Sequence, residues 1–411
     1  MTTQEILQSA VDAKKSIAFA TTAEKNALLT EIADLLLKNT AEILSANKLD
    51  IENVNGKISE VMVDRLRLDE SRILGMANGV RELVALDDPV GYCEKTTNAA
   101  NGLTIKKVRV PLGVVAIIFE SRPNVTSDAA ALCLKSGNAV ILRGGKEAIN
   151  SNTAIAKVMK TAAKNKGFDE NIIGFVTDTS RDSATALMQA KGYVDLLIPR
   201  GGAGLINACI NGATVPCIQT GTGICHIYVD EFADLAMAIK ILENAKMSRP
   251  SVCNAAEVCL VQKDVADKFL PMLAQMAQKN NLELRLCEKS IKIIDGKMAN
   301  EKDFDTEFLD YILAVKIVEN VSEAISHINA HSTGHSESIV TNNDENANKF
   351  LQQIDSAAVY HNASTRFTDG GVFGLGCEIG IATQKLGARG PMGLFEVTSY
   401  KYIVQGDGQI R

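Results

Sequence analysis

Residues 244–261, N-A-K-M-S-R-P-S-V-C-N-A-A-E-V-C-L-V, carry the first candidate for chemistry. A helix-like run ends at Arg249-Pro250, and Cys253 follows before an apolar run begins. The thiolate is the reactive form of cysteine, and a free thiol titrates near ~8.5. The Arg249 guanidinium favours a thiolate close by. Amides of a loop can hold an oxyanion on a bound carbonyl. Cys253 is therefore a candidate nucleophile. The plainer alternative is a small apolar filler, the role expected of Cys259 inside the following strand. Local sequence leaves both open.

Two further segments bear on binding. L-R-G-G-K-E-A (142–148) leaves a strand and enters a helix. Gly144 and Gly145 permit an unusual backbone, and Arg143 and Lys146 supply cationic donors. A plain turn with solvated charges is the competing reading. His327, His331 and His335 recur every fourth residue, a spacing that aligns metal ligands on one helical face. Ser332-Thr333-Gly334 interrupts that helix, so capping and core packing are favoured and no metal is expected. The usual phosphate motifs are missing. G-T-G-I-C-H and G-L-G-C-E-I each lack the third glycine of a dinucleotide turn, and no Walker motif occurs. Any dinucleotide must be held by another device.

The elements that position these residues follow from composition and periodicity. The chain has 411 residues, too many for one ordinary core, so two or three domains are expected. Hydrophobic residues make up 46 % and charged residues 22 %, and the net charge is −6 with no long basic run. Nucleic acid and anionic membrane are poor partners for such a chain. The nine cysteines include no Cys-x-x-Cys pair, and their odd number fits free thiols in a reducing cytoplasm. The N-terminus reads as an amphipathic helix without a secretory apolar region. Val110–Phe119 is too short to span a bilayer.

Residues 1 to about 85 have helical periodicity. Asn101-Gly102 marks the turn of a projecting hairpin, roughly residues 90–110. Strands at 113–119, 138–143, 172–176 and 194–199 then alternate with helices. A-T-V-P-C-I and I-C-H-I-Y-V-D read as further strands. After a helix at 233–247, a second α/β stretch carries strands near 257–262, 283–286, 313–317, 336–340 and 357–360. Repeated βα units imply parallel sheets covered by helices on both faces. L-F-E-V-T-S-Y-K-Y-I-V-Q-G near the end alternates and could pair with the hairpin.

Five segments together carry a resemblance: 244–261; I-Q-T-G-T-G-I-C-H-I-Y-V-D; F-E-S-R-P-N-V-T; S-G-N-A-V-I-L-R-G-G-K-E-A; and T-Q-K-L-G-A-R-G-P-M-G-L-F-E-V-T-S-Y-K-Y. In order and at typical length, from about residue 5 to the C-terminus, the chain resembles the γ-glutamyl phosphate reductases of the aldehyde dehydrogenase superfamily. The resemblance implies an aldehyde dehydrogenase-like α/β fold: two parallel-sheet domains plus a β oligomerisation arm. It assigns 1–245, apart from the hairpin, to cofactor binding and 246–390 to catalysis. Residues 391–411 would join the arm, making the protein a homo-oligomer. It implies NADPH as reductant, a small-molecule substrate (L-glutamyl 5-phosphate), a cytoplasmic role in proline biosynthesis, and possible contact with glutamate 5-kinase.

Cys253 matches the family nucleophile, presented by its loop between two domains and facing the nicotinamide. Thioester formation and reduction each pass through an oxyanion, with the Cys253 amide and the Asn124 side chain as implied donors. Arg143 to Lys146 align with the segment that touches the adenosine ribose or its phosphate. Arg200-Gly201-Gly202 replaces the pyrophosphate-side turn, and Glu307 aligns with the glutamate that holds the nicotinamide ribose. Arg122, Arg249 and Arg366 are candidate cations for the substrate's phosphate and carboxylate, with structural roles as the alternative for each. Gln219 stands where hydrolytic aldehyde dehydrogenases carry a glutamate that activates water.

Two competing functions remain at this level. One is an aldehyde dehydrogenase that hydrolyses its thioester or passes the acyl group to coenzyme A. The other is a non-enzymatic nucleotide-binding relative serving as an assembly partner, which retention of Cys253 argues against.

Overall fold

The structure is a computed structural model and describes residues 1–58, 60–376 and 378–411. Cys377 therefore lies outside the described residues. The chain forms two compact units, one of Met1–Thr220, Gly374–Gly380 and Pro391–Arg411, the other of Gly221–Phe373 and Ile381–Gly390.

The first unit opens with helices whose starts are written in the sequence. Thr2 and Thr21 accept from the amides of Glu5 and Glu24, and both glutamates return the bond. These capping boxes satisfy amides that a helix end would leave open. Helix Thr22–Lys38 buries Leu28, Leu29, Ile32 and Leu36, spaced at three and four along one face. A hairpin follows, β1 (Cys93–Asn98) and β2 (Thr104–Pro111). Gly102 sits at its turn with φ 89°, a left-handed angle that favours glycine.

The parallel sheet of this unit is built from β3 (Val114–Phe119), β4 (Ala139–Arg143), β5 (Ile173–Phe175) and β6 (Leu196–Arg200) in the order β5-β4-β3-β6. All six residues of β3 are buried, as a strand covered on both faces requires. The C-terminal strand Thr398–Gln405 pairs antiparallel with β2, from Thr398 opposite Pro111 to Gln405 opposite Thr104. The pairing expected between tail and hairpin therefore forms, and Tyr400, Tyr402 and Val404 remain exposed on it.

The second unit holds a seven-stranded parallel sheet of β7 (Cys225–Val229), β8 (Ala256–Gln262), β9 (Glu283–Leu286), β10 (Lys297–Met298), β11 (Ile312–Val318), β12 (Ser336–Val340) and β13 (Ala358–His361). Its order is β10-β9-β11-β8-β7-β12-β13. Helix Lys263–Asn280 lays Phe269, Leu270 and Leu273 into a core with Cys259 and Val261. Burying each such side chain stabilises by about 1.5–3 kcal/mol.

Two expectations differ from the structure. A-T-V-P-C-I makes no strand, because Pro216 has no amide to donate; the segment touches β6 only through Pro216 O and Ile218 N, on either side of the isolated Leu197–Cys217 bridge. The compact units also divide at Thr220, earlier than residue 245, because β7 pairs with β8 and β12 and helix Leu235–Met247 packs against them.

Candidate active site

Cys253 lies where the sequence placed it, on a turn between helix Leu235–Met247 and β8. The turn is closed by Ala255 N donating to Val252 O at 3.0 Å, and the residue is half-buried. Its backbone is held from three sides within the second unit. Gly223 passes so close that a Cβ there would lie 1.5 Å from the Cys253 carbonyl oxygen. The Cys225 thiol donates to that same oxygen at 3.2 Å. The next residue, Asn254, is buried; its Nδ2 donates to Thr368 O at 3.0 Å and its carbonyl accepts from Thr365 Oγ1 at 2.7 Å. A thiol carried on a turn fixed by its own main chain can point outward without being part of a strand.

Two guanidiniums share this neighbourhood. Arg366 is held by Ser248 Oγ, 3.1 Å from its Nε, and by Asn254 Oδ1. Burial pushes its pKa down most, the like charge of Arg249 adds to that, and the Cys253 sulfur opposes it. Arg249 itself is exposed. Paired cations beside a sulfur suit a dianionic leaving group and a nucleophile that must ionise. Two neighbouring thiols are unsuited to that role. Burial pushes Cys259 and Cys225 well up, which keeps both protonated.

Glu307 belongs to the same unit, and its Oε1 accepts from Gly223 N at 2.8 Å. Of the residues singled out in the sequence, the second unit thus gathers Cys253, Arg249, Arg366 and Glu307. Arg122, Asn124, Arg143, Lys146, Arg200, Gly201 and Gly202 belong to the first.

In that first unit, Asn124 opens helix Asn124–Lys135 and donates through Nδ2 to Asp128 Oδ2 at 2.9 Å, one turn along. Burial raises the Asp128 pKa to about 6 against hydrogen bonds from the Asn124 and Ser127 side chains. Arg143 ends β4, and its Nη2 donates to the carbonyls of Thr179 and Ser180 at 2.7 and 2.9 Å. Its guanidinium is therefore committed to the main chain, which cation-for-phosphate reasoning from sequence could not show. Lys146 is exposed at the start of the turn after Gly144-Gly145.

Helix Ala203–Gly212 begins at Gly202, whose amide donates to Glu120 Oε2 at 2.8 Å. A Cβ on Gly201 would meet that carboxylate at 2.4 Å. One feature here fits the anionic groups of a dinucleotide: Lys146 presents an exposed ammonium. The Glu120 carboxylate occupies the Gly202 amide and would have to leave it before a phosphate oxygen could accept there.

The three spaced histidines do not share a face. His327 and His331 lie in helix Val321–His331 with ring centroids 4.3 Å apart. His335 precedes β12 and approaches Cys225, its Nδ1 3.7 Å from Sγ. Among the described residues, no three His, Cys, Asp or Glu side chains group as a metal site would.

Residues 1–305 and 292–378 match the family model for the aldehyde dehydrogenase family. A gamma-glutamyl phosphate reductase of Streptococcus sanguinis is 58 % identical over 100 % of this chain and 99 % of its own length. One of Streptococcus suis is also 58 % identical, with 100 % of both chains covered. The crystal structure of the Thermotoga maritima gamma-glutamyl phosphate reductase superposes with a TM-score of 0.98 at 46 % identity, again covering 100 % of both. The chain belongs to the aldehyde dehydrogenase family, in its gamma-glutamyl phosphate reductase branch.

Proposed function

We propose that this oxidoreductase converts L-glutamyl 5-phosphate to L-glutamate 5-semialdehyde and phosphate through a thioester on Cys253, as a step of proline biosynthesis. The observation that carries the reading is the fixed turn of Cys253, with Arg249 and Arg366 beside it. The Cys253 thiolate attacks the acyl carbon, the bond to the phosphate oxygen breaks, and phosphate leaves with its electron pair. Arg249 and Arg366 would stabilise the charge that grows on that leaving group. The Cys253 amide would hold the oxyanion, with the Asn124 amide as a second donor once it leaves Asp128. Arg122 remains a further candidate for a substrate anion.

Nicotinamide cofactors serve this family, and NADPH, when bound, would supply the hydride that turns the thioester into aldehyde and releases the thiolate. Lys146, with Arg200, Gly201, Gly202 and Glu307, would hold it; Arg143 would shape that loop from behind. The exposed arm of β1, β2 and the C-terminal strand supports a homo-oligomer. Among the described residues, no helix is long and apolar enough to cross a membrane. A cytoplasmic location is part of this proposal. The lability of acyl phosphates in water would make contact with glutamate 5-kinase useful.

The phosphorylating reading rests on Gln219. A glutamine amide takes no proton at neutral pH, so it cannot activate water against the thioester. Oxidation of the semialdehyde with NADP should be slow in phosphate-free buffer and strongly stimulated by phosphate or arsenate. Gln219→Glu should raise the phosphate-independent rate. Equal rates with and without phosphate in the parent protein would favour a hydrolytic aldehyde dehydrogenase instead.

A further inference from the structure

Cys225 opens β7 directly beneath the turn of Cys253. Its sulfur is fully buried and lies 3.2 Å from the Cys253 carbonyl oxygen. A chain of polar side chains continues behind it. His335 Nδ1 is 3.7 Å from the Cys225 sulfur and 2.8 Å from Ser336 Oγ. Ser336 Oγ is 2.6 Å from Thr368 Oγ1, which is 2.7 Å from Tyr360 OH. The same Thr368 accepts, through its carbonyl, the amide of Asn254. The two ends of this chain therefore grip adjacent residues, the carbonyl of Cys253 and the side chain of Asn254.

We infer that Cys225 is a positioning residue for the reaction: its thiol, backed by His335, Ser336, Thr368 and Tyr360, fixes the peptide that carries the nucleophile. The inference rests on Cys253 being that nucleophile.

The Cys253 carbonyl faces the buried side of its turn, and a carbonyl taken from water needs a donor there. The thiol is such a donor only while protonated, and burial keeps it so. Gly223 leaves no slack, since a Cβ on it would lie 1.5 Å from the same carbonyl oxygen. Two cysteines thus stand side by side in different states, one for nucleophilic attack and one as a hydrogen-bond donor. A filler thiol has no such geometry; Cys259, equally buried in β8, lies among apolar side chains.

The test compares Cys225→Ala, Cys225→Ser and Cys259→Ala in phosphate-dependent oxidation of the semialdehyde, with thermal melting alongside. Losing the donor should cost about tenfold in kcat, the worth of one buried hydrogen bond, with KM for semialdehyde and phosphate within about twofold. Cys225→Ser restores a donor and should return kcat to within about threefold of the parent. Cys259→Ala should lower the melting temperature and leave kcat unchanged. If Cys225→Ala does not fold, Cys225→Val fills the space without a donor and should show the same kcat loss. Equal kcat for the Cys225 and Cys259 variants, or a Cys225→Ser variant as impaired as Cys225→Ala, would overturn the inference. Turnover by Cys253→Ala would instead overturn the nucleophile assignment beneath it.

Discussion

Gly223→Ala adds one methyl group where there is no space for it. The new Cβ would start 1.5 Å from the Cys253 carbonyl oxygen, and real Cβ atoms essentially never come within 3.0 Å of a neighbour, so the two backbones must part by about 1.5 Å. The obstacle is main chain on both sides, so no rotamer change relieves it. Overpacking of this kind costs about 1–3 kcal/mol of stability, a fall of a few degrees in melting temperature. The effect on rate should be larger, because a displacement of ~1 Å in a reacting group costs roughly 10²-fold. Gly221→Ala is the comparison. Its Cβ would meet Thr383 Oγ1 at 2.6 Å, the end of a side chain that can rotate. That adjustment costs at most about 1 kcal/mol, roughly fivefold in rate. Initial rates of phosphate-dependent semialdehyde oxidation, with melting curves for both variants, make the measurement. A folded Gly223→Ala enzyme with parental kcat would refute the claim that this contact sets the position of the nucleophile.

The remaining predictions concern the cofactor and the acyl acceptor. Lys146→Ala should weaken NADPH by about 10–100-fold and NADH little, the worth of one or two charge-assisted hydrogen bonds to a 2′-phosphate, read by equilibrium binding of each cofactor. Arg143→Ala should instead lower stability, since its guanidinium holds the carbonyls of Thr179 and Ser180; an equal loss of both cofactors in Lys146→Ala would remove that lysine from phosphate recognition. Gln219→Glu should speed oxidation without phosphate at the expense of the reductase direction, and an unchanged ratio of the two would dissociate Gln219 from water exclusion.

Much of the fold was legible because fully covered parallel strands are continuous apolar runs. Val114–Phe119 is buried at every position, and its turn into helix Asn124–Lys135 follows from the chain. The hairpin was legible from Asn101-Gly102. A-T-V-P-C-I was misread because its apolar content resembles a strand while Pro216 withholds an amide. The division at Thr220 was hidden because β7 resembles the strands before it, and only its pairing with β8 and β12 assigns it to the second unit.

At the site, the turn that carries Cys253 between a helix and a strand was legible from Arg249-Pro250, while the loop alone left nucleophile and filler open. The residues that fix it were not, since Gly223, Cys225 and Thr368 are far apart in sequence and meet only through tertiary pairing. Glycines and buried cysteines carry no periodic signal of such a role. The commitment of Arg143 to two carbonyls was likewise invisible, because a cation after a strand looks the same whether it faces a ligand or the main chain.

The most direct test of the central claim is turnover by Cys253→Ala, measured in both directions alongside its NADPH affinity. Removing the nucleophile removes the chemical step and leaves cofactor binding to other residues. Turnover should fall below about one-thousandth of the parent, with the NADPH dissociation constant within about twofold. Turnover near the parental rate in that variant would contradict that claim.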